Sequence, residues 1–290
     1  MYERHFKLKT KPFALTPDPA FIYLSRQHAM ALTMLEYAME SRAAFSVLTG
    51  DIGSGKTTLM RRLLRDLGDQ AVVGLISNTH RQFKSIHGWA LSALGIAAAG
   101  SSDIAKYEAL VNAFIQNYAK GRRTLLVLDE AQNLSVEVLE ELRLLSNVNS
   151  DKDLLLQVLL VGQPELRAKL SRPELRQFAQ RVSVDFHLRP LDRPETHAYI
   201  RHRLTVAGGD GDLFSPDAIE FLYARTNGVP RLLNRLCDLA LVYAYADGQT
   251  SIDAVLVAQV FRDRSSSKSL VTSSKPRERA IADAAKGRVG

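Results

Sequence analysis

Cysteine is almost absent from this chain: Cys237 is the only one in 290 residues. An intrachain disulfide is therefore excluded. A single Cys inside an apolar helical run reads as a buried thiol rather than a nucleophile. The lack of any bridge fits a reducing compartment. Long apolar runs are missing too. No stretch approaches the ~20 uninterrupted apolar residues that cross a bilayer, and the opening MYERHFKLKTKPF lacks the apolar core of a signal peptide. The expectation is a cytoplasmic protein without a membrane span. The net charge of +7 is unevenly placed. Arg264, Lys268, Lys275, Arg277, Arg279, Lys286 and Arg288 face only Glu278 and Asp283 in the last stretch; seven against two is +5, which leaves +2 for the body. The basic character thus describes a tail and not a nucleic-acid-binding face. The rest is ordinary for a globular protein of one or two domains, with 46% hydrophobic and 24% charged residues.

Against these absences one stretch stands out, Phe45–Thr58, FSVLTGDIGSGKTT. Apolar and β-branched residues open it and predict a short buried strand. Gly50, Asp51, Ile52, Gly53, Ser54, Gly55, Lys56 and Thr57 then match the phosphate-binding loop G-x-x-x-x-G-K-[ST], with Thr58 beside it. Leu59–Leu67 follows at helical spacing. Strand, Gly-rich turn and helix in that order are the context the motif needs. Glycines let backbone N–H groups approach a phosphate, and the helix N-terminus adds unpaired donors and a positive dipole end. Lys56 supplies a charge for the β- and γ-phosphates of ATP, and Thr57 a hydroxyl for Mg²⁺.

Residues 1–25 hold Pro12, Pro17 and Pro19 with Phe6, Phe13, Phe21 and Tyr23 between them. Proline blocks regular pairing, so an extended arm is predicted, its aromatics packed against the nucleotide domain beside the adenine. Ser25 caps a helix to about Ser41. Beyond the loop and its helix, Ala71–Ser77 reads as a strand. Residues 81–99 read as helix or loop, and a helix from Ser102 or Asp103 to about Lys120 turns Tyr107, Leu110, Val111, Phe114 and Tyr118 inward. Thr124–Leu128 is an apolar run of the kind a parallel sheet buries on both faces. It ends in Asp129-Glu130, where α/β sheets bind ligands. Asp129 is the expected partner of Mg²⁺, directly or through water, and Glu130 the expected base that orients the attacking water. Ser135–Val148 reads as an amphipathic helix and Leu154–Val161 as another buried strand. Gln163 after it falls between the two sites, either as a sensor of the γ-phosphate or the water, or as a plain loop amide. Pro173–Gln180 is a short helix and Val182–Leu188 a last strand. From Asp192 on, four helices joined by Gly turns predict a small all-α lid. The Ser-, Lys- and Ala-rich end reads as disordered. The fold class is therefore α/β, a parallel sheet flanked by helices and followed by a lid. The segments are an arm at 1–25, a nucleotide-binding domain at 26–190, the lid at 191–263 and a basic tail at 264–290.

The opening MYERHFKL…PFALTPDPAFIYLSRQHAMAL, the loop LTGDIGSGKTT, the strand LLVLDEAQNL, the segment LLLQVLLVGQPEL and GVPRLLNRLCDLALVYAYADG occur in one order over residues 1 to about 262. In these pieces the chain resembles the AAA+ ATPases of the general-secretion-pathway protein A family, often called ExeA-like. The resemblance implies a P-loop NTPase that hydrolyses ATP with Mg²⁺ and works as a homo-oligomer. It implies protein partners in an envelope secretion or exopolysaccharide-export apparatus. It places Gln163 at the sensor-1 position and Arg231 at sensor 2, where a lid arginine touches the γ-phosphate. It puts Arg176 or Arg181 where a neighbouring subunit's arginine finger is expected. Long members of the family continue into a membrane span and a periplasmic peptidoglycan-binding module. The sequence in hand ends with a short basic tail, so the resemblance does not carry cell-wall anchoring over. Related ATPases serve as helpers in DNA transposition, which makes a DNA-associated ATPase the alternative.

Overall fold

A computed structural model gives the fold and describes residues 1–16, 18–77, 85–97, 100–150 and 153–272. Pro17, the loop residues 78–84, 98–99 and 151–152, and the tail from 273 lie outside the described residues. The longer elements in chain order are α1 Tyr2–His5, α2 Arg26–Glu40, β1 Phe45–Gly50, α3 Lys56–Leu67, β2 Ala71–Ile76, α4 Ile86–Leu94, α5 Asp103–Ala119, β3 Arg123–Leu128, α6 Val136–Leu145, β4 Leu156–Gly162, α7 Pro164–Leu170, α8 Arg176–Ala179, β5 Val182–Leu188, α9 Arg193–Val206, α10 Pro216–Thr226, α11 Pro230–Ala246 and α12 Ala254–Thr272. They fall into two compact units. One holds residues 15–195 together with Asn227–Leu232; the other holds Met1–Ala14, Thr196–Thr226 and the described residues from Leu233 on.

The first unit is a parallel five-stranded sheet in the order β2-β3-β4-β1-β5. Its central strands β1 and β4 are buried along their whole length, and β3 along all but its first residue. That is why they read as unbroken apolar runs, whereas the edge strands β2 and β5 mix buried and exposed positions. Helices cover both faces. Leu35, Met39, Met60 and Leu63 of α2 and α3 pack on one side with Leu48, Val127 and Val161. On the other, α4–α8 contribute Ile86, Leu110, Phe114, Leu142, Leu166 and Phe178, packed with Phe45, Leu126 and Leu160. The result is a three-layer α/β core. Serine side chains cap four of these helices: Ser25, Ser85, Ser102 and Ser135 accept the N–H of His28, His87, Ala105 and Val138.

Two local readings differ from the structure, and α7 is a helix where none is predicted. Helix α7 begins directly after β4, with Gln163 at its N-cap and Pro164 in its first turn. Tyr107 and Tyr118 do not point inward; they are 39% and 37% exposed, while Leu110 and Phe114 are buried. Each ring has a partner outside the core. Tyr118 donates its hydroxyl to Asp153 and lies under Arg42, and Tyr107 meets His87 edge-on. Helix α12 continues to Thr272, beyond the lid boundary predicted at 263.

The second unit holds most of the N-terminal arm. Its first turn is helical, and Tyr2, Phe6 and Phe13, expected with the nucleotide domain, are buried and belong to this unit. Tyr2 donates to Asp238 at 2.5 Å, and Phe13 meets Phe214 edge-on. Arg203, only 8% exposed, donates to the carbonyls of Pro12 and Ala14 and to the Tyr199 hydroxyl. A proline-rich arm leaves carbonyls unmatched by any ladder, and a buried guanidinium satisfies them. Of the arm's aromatics, Phe21 and Tyr23 stay with the sheet. Cys237 is fully buried on α11, and burial pushes its thiol well up, as the sequence expected of an inert residue.

The segment Asn227–Leu232 returns to the strand-bearing unit through a tight crossing. Leu191 N–H donates to the Gly228 carbonyl at 3.0 Å. Gly228 has φ +71, and a Cβ there would lie 1.8 Å from the Leu191 oxygen. Gly121 has nearly the same φ of +70 with nothing within 4 Å. Gly121→Ala should therefore cost about 1 kcal/mol, the left-handed penalty alone. Gly228→Ala should cost about 3 kcal/mol or more, because backbone must move as well. Urea unfolding of both variants checks this; equal losses would mean that the crossing is not tight.

Candidate functional site

The carboxyl ends of β1, β3 and β4 lie side by side, and the residues singled out in the sequence follow them. Gly50 ends β1. The loop turns through Gly53 at φ +85 and Gly55 at φ +103, and α3 starts at Lys56 with Gly55 as its N-cap. Asp51 and Ile52 are exposed at the loop's tip, while Gly53, Thr57 and Thr58 are partly open. Ser54 is buried, and its Oγ has no hydrogen-bond partner among the described residues.

Lys56 is 9% exposed and folds back over the loop. Its Nζ donates to the carbonyls of Gly50 at 2.7 Å and Asp51 at 2.9 Å. Burial pulls the ammonium below the ordinary lysine range; the nearby carboxylates of Glu130, Asp129, Asp51 and Glu165 push it back. Thr57 donates its hydroxyl to Asp129 Oδ2 at 3.5 Å, and Asp129 Oδ1 accepts the Glu130 N–H at 2.9 Å. Burial lifts the Asp129 carboxyl above its usual range. The Glu130 N–H works against that, the Glu130 charge adds to it, and Lys56 and Thr57 oppose it. A carboxylate destabilised in this way is one that a cation would relieve.

Beyond Asp129 the chain takes a left-handed turn at Glu130, φ +54, and Glu130 is exposed. Because β4 lies between β3 and β1, Gln163 at its end falls between the loop and the acidic pair. Its Nε2 donates to Glu130 Oε2 at 3.2 Å. Gln132, which the sequence did not single out, donates to the same oxygen at 2.5 Å. Arg231 is exposed and lies on the loop's outer side. Its N–H donates to the Gly53 carbonyl at 3.2 Å, and a Cβ on Gly53 would lie 2.4 Å from its own. The two finger candidates differ. Arg181 donates to the carbonyl of Arg143 and to Ser146 Oγ at the end of α6, whereas Arg176 is exposed at the start of α8.

The residues fit a phosphate chain with its metal. A buried hydroxyl without a partner, an ammonium held only by loop carbonyls and a helix N-terminus form a donor-rich cradle. Among the described residues no group of three or more His, Cys, Asp or Glu could hold a metal by itself. Thr57 and Asp129 alone suit Mg²⁺, which takes one or two protein oxygens and completes its shell from phosphates and water.

Residues 39–170 match the model of an AAA domain. Over 253 residues the chain is 38% identical to General secretion pathway protein A of Aeromonas hydrophila. That alignment covers 87% of this chain and 46% of the relative, so the chain spans about half the length of the curated protein it matches. Solved structures of similar fold include the Aeropyrum pernix ORC2 protein in its ADPNP–ADP complexes, with a TM-score of 0.65 and 18% identity over 88% of this chain and 71% of that one. Cdc6p from Pyrobaculum aerophilum follows, with a TM-score of 0.59 and 18% identity over 83% and 67%. At such identities the likeness is one of fold. No helix among the described residues is long and apolar enough to cross a membrane.

His28 is a site neighbour that the sequence did not single out. It lies in the first turn of α2, and its only signal there was the Ser25 cap three residues earlier. Its Nε2–H donates to the Ser54 carbonyl at 3.0 Å, and the Ser25 hydroxyl donates to Nδ1 at 2.8 Å. Burial pushes its pKa down, partly offset by the Ser54 bond and by Glu195. The folded loop thus holds a neutral imidazole. His28→Ala should cost about 1–3 kcal/mol at pH 7.5, because it strands two buried polar groups. As pH falls below about 6.5 the unfolded wild type binds a proton that the folded form resists, so wild-type stability drops. The gap between wild type and His28→Ala should narrow toward pH 5.5 in melting curves. A gap that widens would show that the folded protein prefers the charged ring.

Proposed function

We propose that this chain, an AAA-domain protein related to General secretion pathway protein A, binds and hydrolyses ATP and couples its nucleotide state to assembly of an envelope secretion or exopolysaccharide-export system. The observation that carries the ATPase part is the convergence of Lys56, the Thr57–Asp129 pair and the Glu130–Gln163 pair on three neighbouring strand ends. The pathway part rests on the 38% identity to the Aeromonas protein.

Bound Mg-ATP supplies a γ-phosphoryl group and its metal. Lys56 releases the Gly50 and Asp51 carbonyls and donates to the phosphates. Thr57 and Asp129 would hold the metal. Glu130 orients a water and accepts its proton as the oxygen attacks the γ-phosphorus and the bridging bond to the β-phosphate breaks, its electron pair leaving with ADP, while Gln163 keeps water and γ-phosphate in line. Arg231 lies against the loop and serves as the second sensor. Of the two finger candidates Arg176 is favoured, since the Arg181 guanidinium is tied to α6 of its own chain. A finger supplied by a second copy makes the active form a homo-oligomer working with its export partners at the cytoplasmic side.

Lys56→Ala should abolish ATP binding, measured with a fluorescent ATP analogue. Glu130→Gln should bind ATP and turn it over about 10²–10⁴-fold more slowly, the usual worth of a positioned base. Wild-type turnover by Glu130→Gln would remove Glu130 from this role. Specific activity should rise with protein concentration as subunits assemble, and it should stay low in Arg176→Ala. In cells, Lys56→Ala in place of the wild type should block export; unimpaired export would remove the pathway assignment.

The +5 carried by residues 264–290 favours one alternative, a DNA-associated ATPase of the kind that helps transposition. Phosphate contacts make such binding steeply salt-dependent. Filter binding with ATP at low and physiological salt, with and without the tail, separates the readings. Export coupling predicts no salt-sensitive retention of DNA.

A further inference from the structure

At the ends of β3 and β4 three side chains close on one another. Glu130 Oε2 accepts both the Gln132 and the Gln163 side-chain amides, at 2.5 and 3.2 Å. Gln132 is used from both ends, for its Oε1 accepts the backbone N–H of Gln163 at 3.0 Å. Its backbone carbonyl takes the Lys169 ammonium at 2.6 Å, and the Leu134 carbonyl takes it as well. Gly162 closes the space behind: a Cβ there would lie 2.9 Å from Gln132 Oε1. The Glu130 backbone sits at φ +54, where side-chain-bearing residues are uncommon and pay of order 1 kcal/mol or more. Such a conformation lasts only where its surroundings over-determine it, and Gln132 is two residues away with both ends engaged.

The two bonds ask for different chemistry. The Glu130 carboxylate needs a donor; the Gln163 N–H needs an acceptor. A hydroxyl also donates and accepts, but from one oxygen; a carboxamide sets its donor and its acceptor on two separate atoms without a tautomer choice, and Asn is one methylene shorter. We propose that Gln132 is a positioning residue that ties the Glu130 carboxylate to Gln163, so that base and sensor move as one rigid unit. It acts through those two residues. The proposal deepens the ATPase reading and rests on it for the roles of Glu130 and Gln163.

The test measures ATP turnover and nucleotide affinity separately in wild type, Gln132→Ala and Gln132→Glu. For Gln132→Ala the expected result is a kcat lower by about tenfold to a hundredfold, the scale of a misplaced catalytic group. KM and the affinity for an ATP analogue should stay within about twofold, because the phosphate cradle is untouched. Gln132→Glu keeps the length and the acceptor for Gln163 N–H, but loses the donor and sets a like charge beside Glu130. A purely structural brace would survive that change; the positioning role predicts a kcat as low as that of Gln132→Ala. A kcat within about twofold of wild type in either variant would overturn the proposal. A readout without turnover is the pair of side-chain amide signals of Gln132 and Gln163 in ¹H–¹⁵N spectra. Both should shift in Glu130→Gln, and if neither does the tie does not exist. If both shift while wild type hydrolyses no ATP at any concentration, the tie stands and the ATPase reading falls.

Discussion

A lysine ammonium that is 9% exposed is the constraint on which the strand-bearing unit turns. Taking such a charge out of water costs several kcal/mol unless fixed dipoles and opposite charges replace the solvent. Here the replacements come from separate parts of the chain. The Gly50 and Asp51 carbonyls come from the loop itself, Asp129 and Glu130 from the end of β3, and Glu165 from the start of α7 after β4. Only a sheet that sets β4 between β1 and β3 assembles that set. The strand order is thus tied to the electrostatics of one side chain, and the same order puts Gln163 between the loop and the acidic pair.

The balance is not a resting optimum. Burial lowers the Lys56 pKa and raises that of Asp129, so both ionised groups are less comfortable than in water. Their own bonds are stopgaps: the lysine leans on two carbonyls, and the Thr57–Asp129 contact is a long 3.5 Å. A triphosphate with a divalent cation would answer both strains at once, adding negative charge beside Lys56 and positive charge beside Asp129. Stability held back at a site in this manner is stability returned on binding.

How far the sequence could be read depends on whether a feature is local. The loop, its helix and the apolar strands β1, β3 and β4 are local patterns. They were legible because a fully buried parallel strand leaves an unbroken apolar run. The cap at Ser25 was legible for the same reason. Helix α7 went unread although its signal was there, since proline in a first helical turn starts a helix. Arg203 and His28 were out of reach for another reason. Arg203 meets Pro12, and His28 meets Ser54, and nothing within a window of either says so. Gln132 sat in plain view within the strand's trailing residues, yet its partner is the Gln163 N–H just past β4, which only the sheet brings near.

The glycines of the phosphate loop show the same division from the other side. The motif asks for glycines that let backbone N–H groups turn inward, and Gly53 takes a φ of +85. The structure adds a second demand. A Cβ on Gly53 would collide with the Arg231 side chain, on a segment that departs from the tight Gly228–Leu191 crossing. Gly55 lies under the His28 ring in the same way, with 2.9 Å from a Cβ there to Nε2. The loop is therefore a wedge between α2 and the start of α11, and its lack of side chains admits both neighbours. Any change that fills the wedge would disturb the Arg231 and His28 contacts together with the phosphate cradle, so nucleotide binding and the packing around the loop are one physical event.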